Sequence, residues 1–178
     1  MLFRSVPNQG RGNSRDKKGN LLYEFNPYDV DAGVTYTFNK GPLYHGAFPV
    51  TVSGDFLHNP AAPNQNMAWT AGFTIGKAGK KKTWQLDYRY TYLPGDAWYE
   101  EFPESDFGAF YVNKASDAKD PGYRSGTNVK GHWVKLAVSP SDAITLSVAY
   151  FFTDLVHNSP HGSESGAGRL QVDAVWKF

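Results

Sequence analysis

Cysteine is absent from the 178 residues and methionine occurs only twice. No disulfide framework and no thiolate metal site are therefore available. An excess of one charge sign is missing too. Lys+Arg 18 against Asp+Glu 17 leaves a formal net charge of +1, which argues against the basic footprint of a nucleic-acid binder. No stretch approaches the ~18 uninterrupted apolar residues of a membrane-spanning helix, and the mean hydropathy is −0.51. These absences exclude a helical membrane protein. They leave a membrane barrel open, because barrel strands alternate and keep mean hydropathy low. The amino end reads as one without an export leader: Met1-Leu2-Phe3-Arg4-Ser5 runs straight into a polar stretch with no apolar segment.

What the chain holds in quantity is aromatic side chains, 16% of residues, with 11 Tyr, 12 Phe and 5 Trp. Tyr and Trp favour membrane–water interfaces. The pattern around them is period two. At the carboxyl end Leu170, Val172, Ala174, Trp176 and Phe178 share one parity, and Arg169, Gln171, Asp173 and Lys177 share the other. Alternation of this kind puts the two sets on opposite faces of a strand. Six further segments read the same way, 129–138 less cleanly than the rest: Tyr28–Phe38, 48–57, Met67–Gly76, 84–93, 129–138 and 144–153. Each is about ten residues long, enough to cross a bilayer when tilted.

The polar parity separates a lipid-facing wall from a soluble sheet. In a soluble barrel or sandwich Tyr36, Trp69, Trp84, Tyr88, Tyr90, Tyr92, Tyr150 and Trp176 would crowd one core, each polar tip needing a partner. The opposite parity carries small residues and isolated charges, sparser than a soluble surface. Aromatics also gather near strand ends, as interface girdles require. The expected fold is all-β: a transmembrane antiparallel β-barrel. Single-chain bacterial barrels have even strand numbers. Seven strands without a leader therefore predict the carboxyl-terminal part of a larger barrel, of about 16 strands. Residues 1–27, rich in Gly, Asn and basic side chains, read as a polar loop or disordered tail, and 28–178 as the barrel segment. Short connectors at 77–83 and 139–143 and long ones at 94–128 and 154–168 fit turns on one side of a membrane and loops on the other.

Asp31, Asp55, Asp87, Arg89, Lys135, Arg169, Asp173 and Lys177 fall on the polar parity and are the expected lumen-facing charges, four of each sign. The 94–128 connector holds Glu100, Glu101, Glu104 and Asp106 within seven positions. A loop that long is usually functional or disordered, and folded inward it would form an acidic constriction. His157, Ser159, His161, Ser163 and Glu164 supply the residue types of a Ser–His hydrolase. Their Pro/Gly-rich setting reads as an external loop. The His157–His161 spacing makes a metal pair only on a helix, which Pro160 opposes. No metal, no cofactor and no catalytic residue are assigned.

Three stretches resemble the carboxyl-terminal region of bacterial outer-membrane porins. They are Tyr23-Glu24-Phe25-Asn26-Pro27-Tyr28-Asp29-Val30; Glu104-Ser105-Asp106-Phe107-Gly108 with Gly126-Thr127-Asn128-Val129-Lys130-Gly131-His132; and 144–153 leading to the closing Val175-Trp176-Lys177-Phe178. The segment 109–125 looks longer than that pattern needs. The resemblance implies a bacterial outer-membrane location and passive diffusion of small hydrophilic solutes or ions. It also implies that Val172, Ala174, Trp176 and Phe178 act as an assembly signal. The implied partners are outer-membrane lipid and lipopolysaccharide, the barrel-assembly machinery and further copies of the chain, with no nucleic acid. Two other classes stay open: an outer-membrane lipid-modifying enzyme and a soluble β-sandwich binding module.

Overall fold

The computed structural model describes residues 12–104, 106–107, 126–157 and 166–178. Among them there is no helix, and all seven strands belong to one open sheet. In chain order these are β1 (Tyr28–Phe38), β2 (Phe48–His58), β3 (Met67–Gly76), β4 (Thr83–Leu93), β5 (Val129–Ser139), β6 (Ile144–Leu155) and β7 (Ala167–Trp176). Each strand pairs antiparallel with its sequence neighbour, so spatial order follows chain order. The bounds match the alternating segments to within a residue or two. Lys177 and Phe178 lie beyond β7, with the Lys177 N–H donating to the Ala143 carbonyl at 2.8 Å.

Register carries the parity of each strand unbroken across the sheet. Thr35, Thr51, Thr74, Asp87, Lys135, Ala149 and Gln171 form one polar row, and Val34, Val52, Phe73, Tyr88, Val134, Tyr150 and Leu170 an apolar one. Burial then runs opposite to a soluble protein. Over β4–β6 the polar face is the more covered one, whereas β1 is exposed on both faces and Ser53, Asp55, Arg169 and Asp173 on β2 and β7 are exposed too. Asp87 is 6% exposed, Ser147 8% and Thr153 5%, beside Ala149 at 3% and Phe151 at 1%. On the apolar face Val34 is 76% exposed, Val172 72%, Leu170 63% and Val52 62%. Among the described residues no second layer packs on this face. A contiguous apolar surface of this kind far exceeds what soluble monomers leave in water.

Among the described residues a hydrophobic cluster lies on the polar side, where Phe107 joins Val129, Ala149, Phe151 and Leu155, with Leu93 and Trp133 against it. Both edges stay unpaired within the sheet, and β1 is exposed along its whole length. Seven antiparallel strands make β1 and β7 run the same way. Closing one directly on the other would be a parallel pairing.

At one end of the sheet the connectors are short and mutually bonded. The Lys82 N–H donates to the Ser139 carbonyl at 2.9 Å and the His45 N–H to the Lys82 carbonyl at 3.0 Å. Gly76 (φ 73°) and Lys82 (φ 61°) turn the chain between β3 and β4 in the left-handed region, where a residue without a Cβ is favoured.

Candidate functional site

The candidate site is the polar face and the connector that crosses it. Seven of the eight expected lumen charges fall on this face by register: Asp31 opposite Asp55, Asp87 opposite Lys135, Arg89 and Arg169 in one row, and Asp173 opposite Ser147. Lys177 lies past the end of β7. Two aspartates directly opposite one another repel, and the Asp31–Asp55 pair makes this corner of the face electronegative. Asp87 is held on both oxygens. Thr74 Oγ1 donates to it at 2.7 Å and Gln85 Nε2 at 2.9 Å.

The connector after β4 returns over this face. Arg89 Nη2 lies 3.1 Å from Glu104 Oε2, and Arg169 Nη1 lies 2.6 Å from Asp106 Oδ1. Gln171 Nε2 also donates to Asp106. Phe107 then anchors in the cluster under Phe151. These ion pairs are partly exposed, so each contributes at most about 1 kcal/mol. Phe107 burial adds a hydrophobic anchor of about 1.5–3 kcal/mol. Of the four carboxylates expected at a constriction, Glu104 and Asp106 therefore meet the strand wall. Glu100 does not: it is fully buried and pairs with Arg15 at the long-connector end. Glu101 sits beside it. Burial first, then the Glu101 and Glu100 charges, push the Tyr99 phenol above its ordinary value, with Arg15 pulling the other way.

Beside the connector a cavity of about 200 Å³ opens over Ser53, Asp55, Thr70, Thr74, Asp87 and Arg89. Trp133 forms its side, with the Arg89 guanidinium 5.0 Å from the ring centroid. Arg89 Nε has no partner among the described residues. Carboxylates, hydroxyls and a guanidinium around one polar hollow suit a small hydrated solute.

The connector is held in place by a segment expected to be loop or tail. Asn13 is buried. Its Nδ2 donates to the Gly95 and Trp98 carbonyls at 2.6 and 2.8 Å, and its Oδ1 accepts the Glu100 N–H at 2.9 Å. Ser14 binds both oxygens of Asp96, at 2.8 and 2.6 Å. Asn59, buried between β2 and β3, donates to the Asp96 carbonyl at 2.9 Å and the Glu24 carbonyl at 3.0 Å. Asn13 and Asn59 carry no periodic signal, and sequence reasoning passed over both, along with Trp133. Asn13→Ala orphans the Trp98 carbonyl and the Glu100 amide, at about 1–3 kcal/mol for each group left buried and unpaired, while the Gly95 carbonyl keeps the Thr127 hydroxyl. Limited proteolysis should then cut the 94–107 segment several-fold faster while the strands stay protected. Equal cutting would show that Asn13 does not hold the connector.

Of the residues suggestive of hydrolase chemistry, His157 is fixed by backbone bonds to Asn128. Ser159, His161, Ser163 and Glu164 lie outside the described residues. Among the described residues no cluster of three or more His, Asp or Glu side chains is placed to hold a metal. Comparison with protein-family models, with curated proteins and with solved structures finds no match.

Proposed function

We propose that this chain forms part of the wall of a bacterial outer-membrane porin, through which small hydrophilic solutes and ions diffuse passively. The observation that carries this reading is the inverted burial over β4–β6: a covered polar face that carries Asp87 and Lys135, and an apolar face left bare one strand-length tall. Lipid takes the apolar face at no cost, and water fills the side lined by Asp55, Asp87, Arg89, Lys135 and Arg169. A soluble sandwich would bury the apolar face against a second sheet, and the described residues hold only one.

In lipid, the open edges of β1 and β7 would each leave backbone groups unsatisfied at several kcal/mol per group. An antiparallel wall that joins both edges needs an odd number of additional strands, since β1 and β7 run in the same direction. Nothing in this transport is covalent. The wall supplies a hydrated path, and the connector over Arg89 and Arg169 narrows it. In the same reading Val172, Ala174, Trp176 and Phe178 are the terminal signal for the barrel-assembly machinery. Phe178 stands fully exposed and Trp176 is 71% exposed.

The test is which face meets lipid. In single-Trp variants reconstituted in vesicles, brominated lipid should quench Trp69 and Trp84 on the apolar face. Aqueous iodide should reach Trp133 on the polar face in preference. The reverse pattern, or a chain that stays dispersed without detergent, overturns the proposal.

A further inference from the structure

The short-connector end of the sheet is basic. Lys40, Lys77, Lys80, Lys81, Lys82 and Lys177 all stand there, every one exposed. Against them the connectors carry Asp142, and the chain adds its terminal carboxylate on Phe178. Asp142 Oδ1 already accepts the Lys81 N–H at 2.8 Å. Within the strands Asp87 faces Lys135 across the ladder, and Asp173 lies four positions before Lys177, about 13 Å along an extended chain. None of the six lysines makes an ion pair or a side-chain hydrogen bond among the described residues. Positive charge is therefore in excess at this end.

The 77–82 connector holds four of the six, and it bends over the polar face. Its amides are tied to side chains of that parity: Ala78 N–H to Gln85 Oε1 at 3.2 Å, Gly79 N–H to Ser139 Oγ at 2.7 Å and Lys80 N–H to Thr83 Oγ1 at 3.2 Å. Ser139 and Thr83 are buried. Lys177 reaches in from beyond β7, its Nζ 3.8 Å from where a Cβ on Gly79 would stand. The middle of this connector and the Lys177 ammonium thus stand over the end of the polar face. The backbone there leaves no grip for one small anion. The amides of Gly79, Lys80, Lys81 and Lys82 are all spent, the last on the Ser139 carbonyl at 2.9 Å. These connectors also carry no arginine, so no fork clasps a single planar group. What remains is the summed charge of flexible ammoniums. Summed charge selects a ligand by its valence, whether carboxylate or phosphate supplies it.

We propose that this end is an anion-collecting mouth, and that the solutes drawn into the polar path there are small anions carrying two or more negative charges on carboxylate or phosphate groups. The proposal rests on the reading that the polar side is the solute path, and it narrows small hydrophilic solutes to this class. A patch of one sign at a mouth raises the local concentration of the opposite ion before any contact is made.

The chain has no cysteine, so one introduced thiol reads the local potential. Ser141→Cys puts it in the turn beside Asp142, which Lys81 meets; Ser53→Cys puts it on the polar face near Asp31 and Asp55. Each variant of the full chain, in nonionic detergent, is reacted with an anionic and a cationic methanethiosulfonate. The anionic-to-cationic rate ratio, in which thiol acidity cancels, is scaled to that of a free thiol. At about 10 mM salt it should stand about tenfold above the free-thiol value for Ser141→Cys, and at or below that value for Ser53→Cys. Adding Lys80→Gln, Lys81→Gln and Lys177→Gln should return the first to the free-thiol value. Citrate should slow the anionic reagent at Ser141→Cys several-fold more than acetate does at equal ionic strength, and pyrophosphate should match citrate. A free-thiol ratio with all lysines present, an equal rise at both positions, a rise that survives the triple variant, or equal effects of citrate and acetate would each overturn the proposal. Protection by polyglutamate with none by citrate would overturn it too, by making the patch a docking site for an acidic protein. Quenching by brominated lipid scores the path reading separately. Lipid on the apolar face without the raised ratio defeats the mouth alone. A wall that lipid does not touch removes the path, and the mouth with it.

Discussion

Val148→Arg should lower the fraction of chain inserted into lipid vesicles by about thirtyfold or more. Val148 lies near the middle of β6, 46% exposed on the apolar face, in register with Leu136 on β5 and Val172 on β7. A charged side chain at the midplane of a lipid-facing wall costs about 2–4 kcal/mol, and 2 kcal/mol is already about that factor. Thr51→Arg is the matched control. Thr51 is on the polar face of β2, where its hydroxyl lies 2.8 Å from that of Thr35, and a guanidinium there extends into water. Its insertion should stay within about twofold of the parent, since one exposed hydrogen bond is the only loss. The two substitutions add the same charge to opposite faces of adjoining rows, so general effects of charge or expression cancel. A soluble sheet with its apolar face in a core would show no insertion to lose. If Thr51→Arg were the damaging change, the two faces would be assigned the wrong way round.

The strands were legible because a period of two leaves its mark in every residue. Val148 and Thr51 could be assigned to opposite faces before any pairing was known, and antiparallel register then carried that assignment across seven strands. Charges on the polar face were legible for the same reason. The connector was not. That Glu104 meets Arg89 and Asp106 meets Arg169 depends on where a long segment lands, and nothing local in 100–106 distinguishes landing on the sheet from standing clear of it. Phe107, the residue that anchors the return, is one aromatic among many.

The segment around Asn13 was harder still. A stretch of Gly, Asn, Ser and Arg has the composition of a solvated tail. Its order comes from side-chain bonds to Gly95, Asp96, Trp98 and Glu100, more than eighty residues on. Such bonds have no periodicity. The only trace in sequence is complementarity, basic and amide side chains at 13–15 matched by the carboxylates at 96 and 100. Lys177 shows the opposite failure. The alternation ran on through the terminus, but the ladder stops at Trp176, so parity there describes a residue with no strand partner.

If the wall belongs to a porin, as proposed above, Glu104→Gln combined with Asp106→Asn should turn the complete barrel towards anions. On the polar face of the strands Asp31, Asp55, Asp87 and Asp173 stand against Arg89, Lys135 and Arg169, and isolated charges in a wide lumen are screened within about 8 Å at physiological salt. A weakly selective pore follows. The connector changes the local balance, since its two carboxylates sit on two guanidiniums and leave that stretch of the path neutral. Removing the carboxylates leaves Arg89 and Arg169 unmatched where the connector narrows the lumen. Each bare charge is worth about 1 kcal/mol to a counter-ion at contact distance in water, so the anion-to-cation permeability ratio should rise about fivefold in a salt gradient. Reversal potential reads it directly. Unit conductance provides the second check, because the ion pairs also pin the connector across the face: with Phe107 left to hold the 104–107 stretch on the strands, the current should become noisier. Arg89→Gln with Arg169→Gln is the reciprocal pair and should move the reversal potential the other way, towards cations. If neither pair moves it, the connector does not stand in the ion path. If the carboxylate pair increases cation preference, the guanidiniums are not facing the permeant ions, and the lumen assignment of β4 and β7 fails with it.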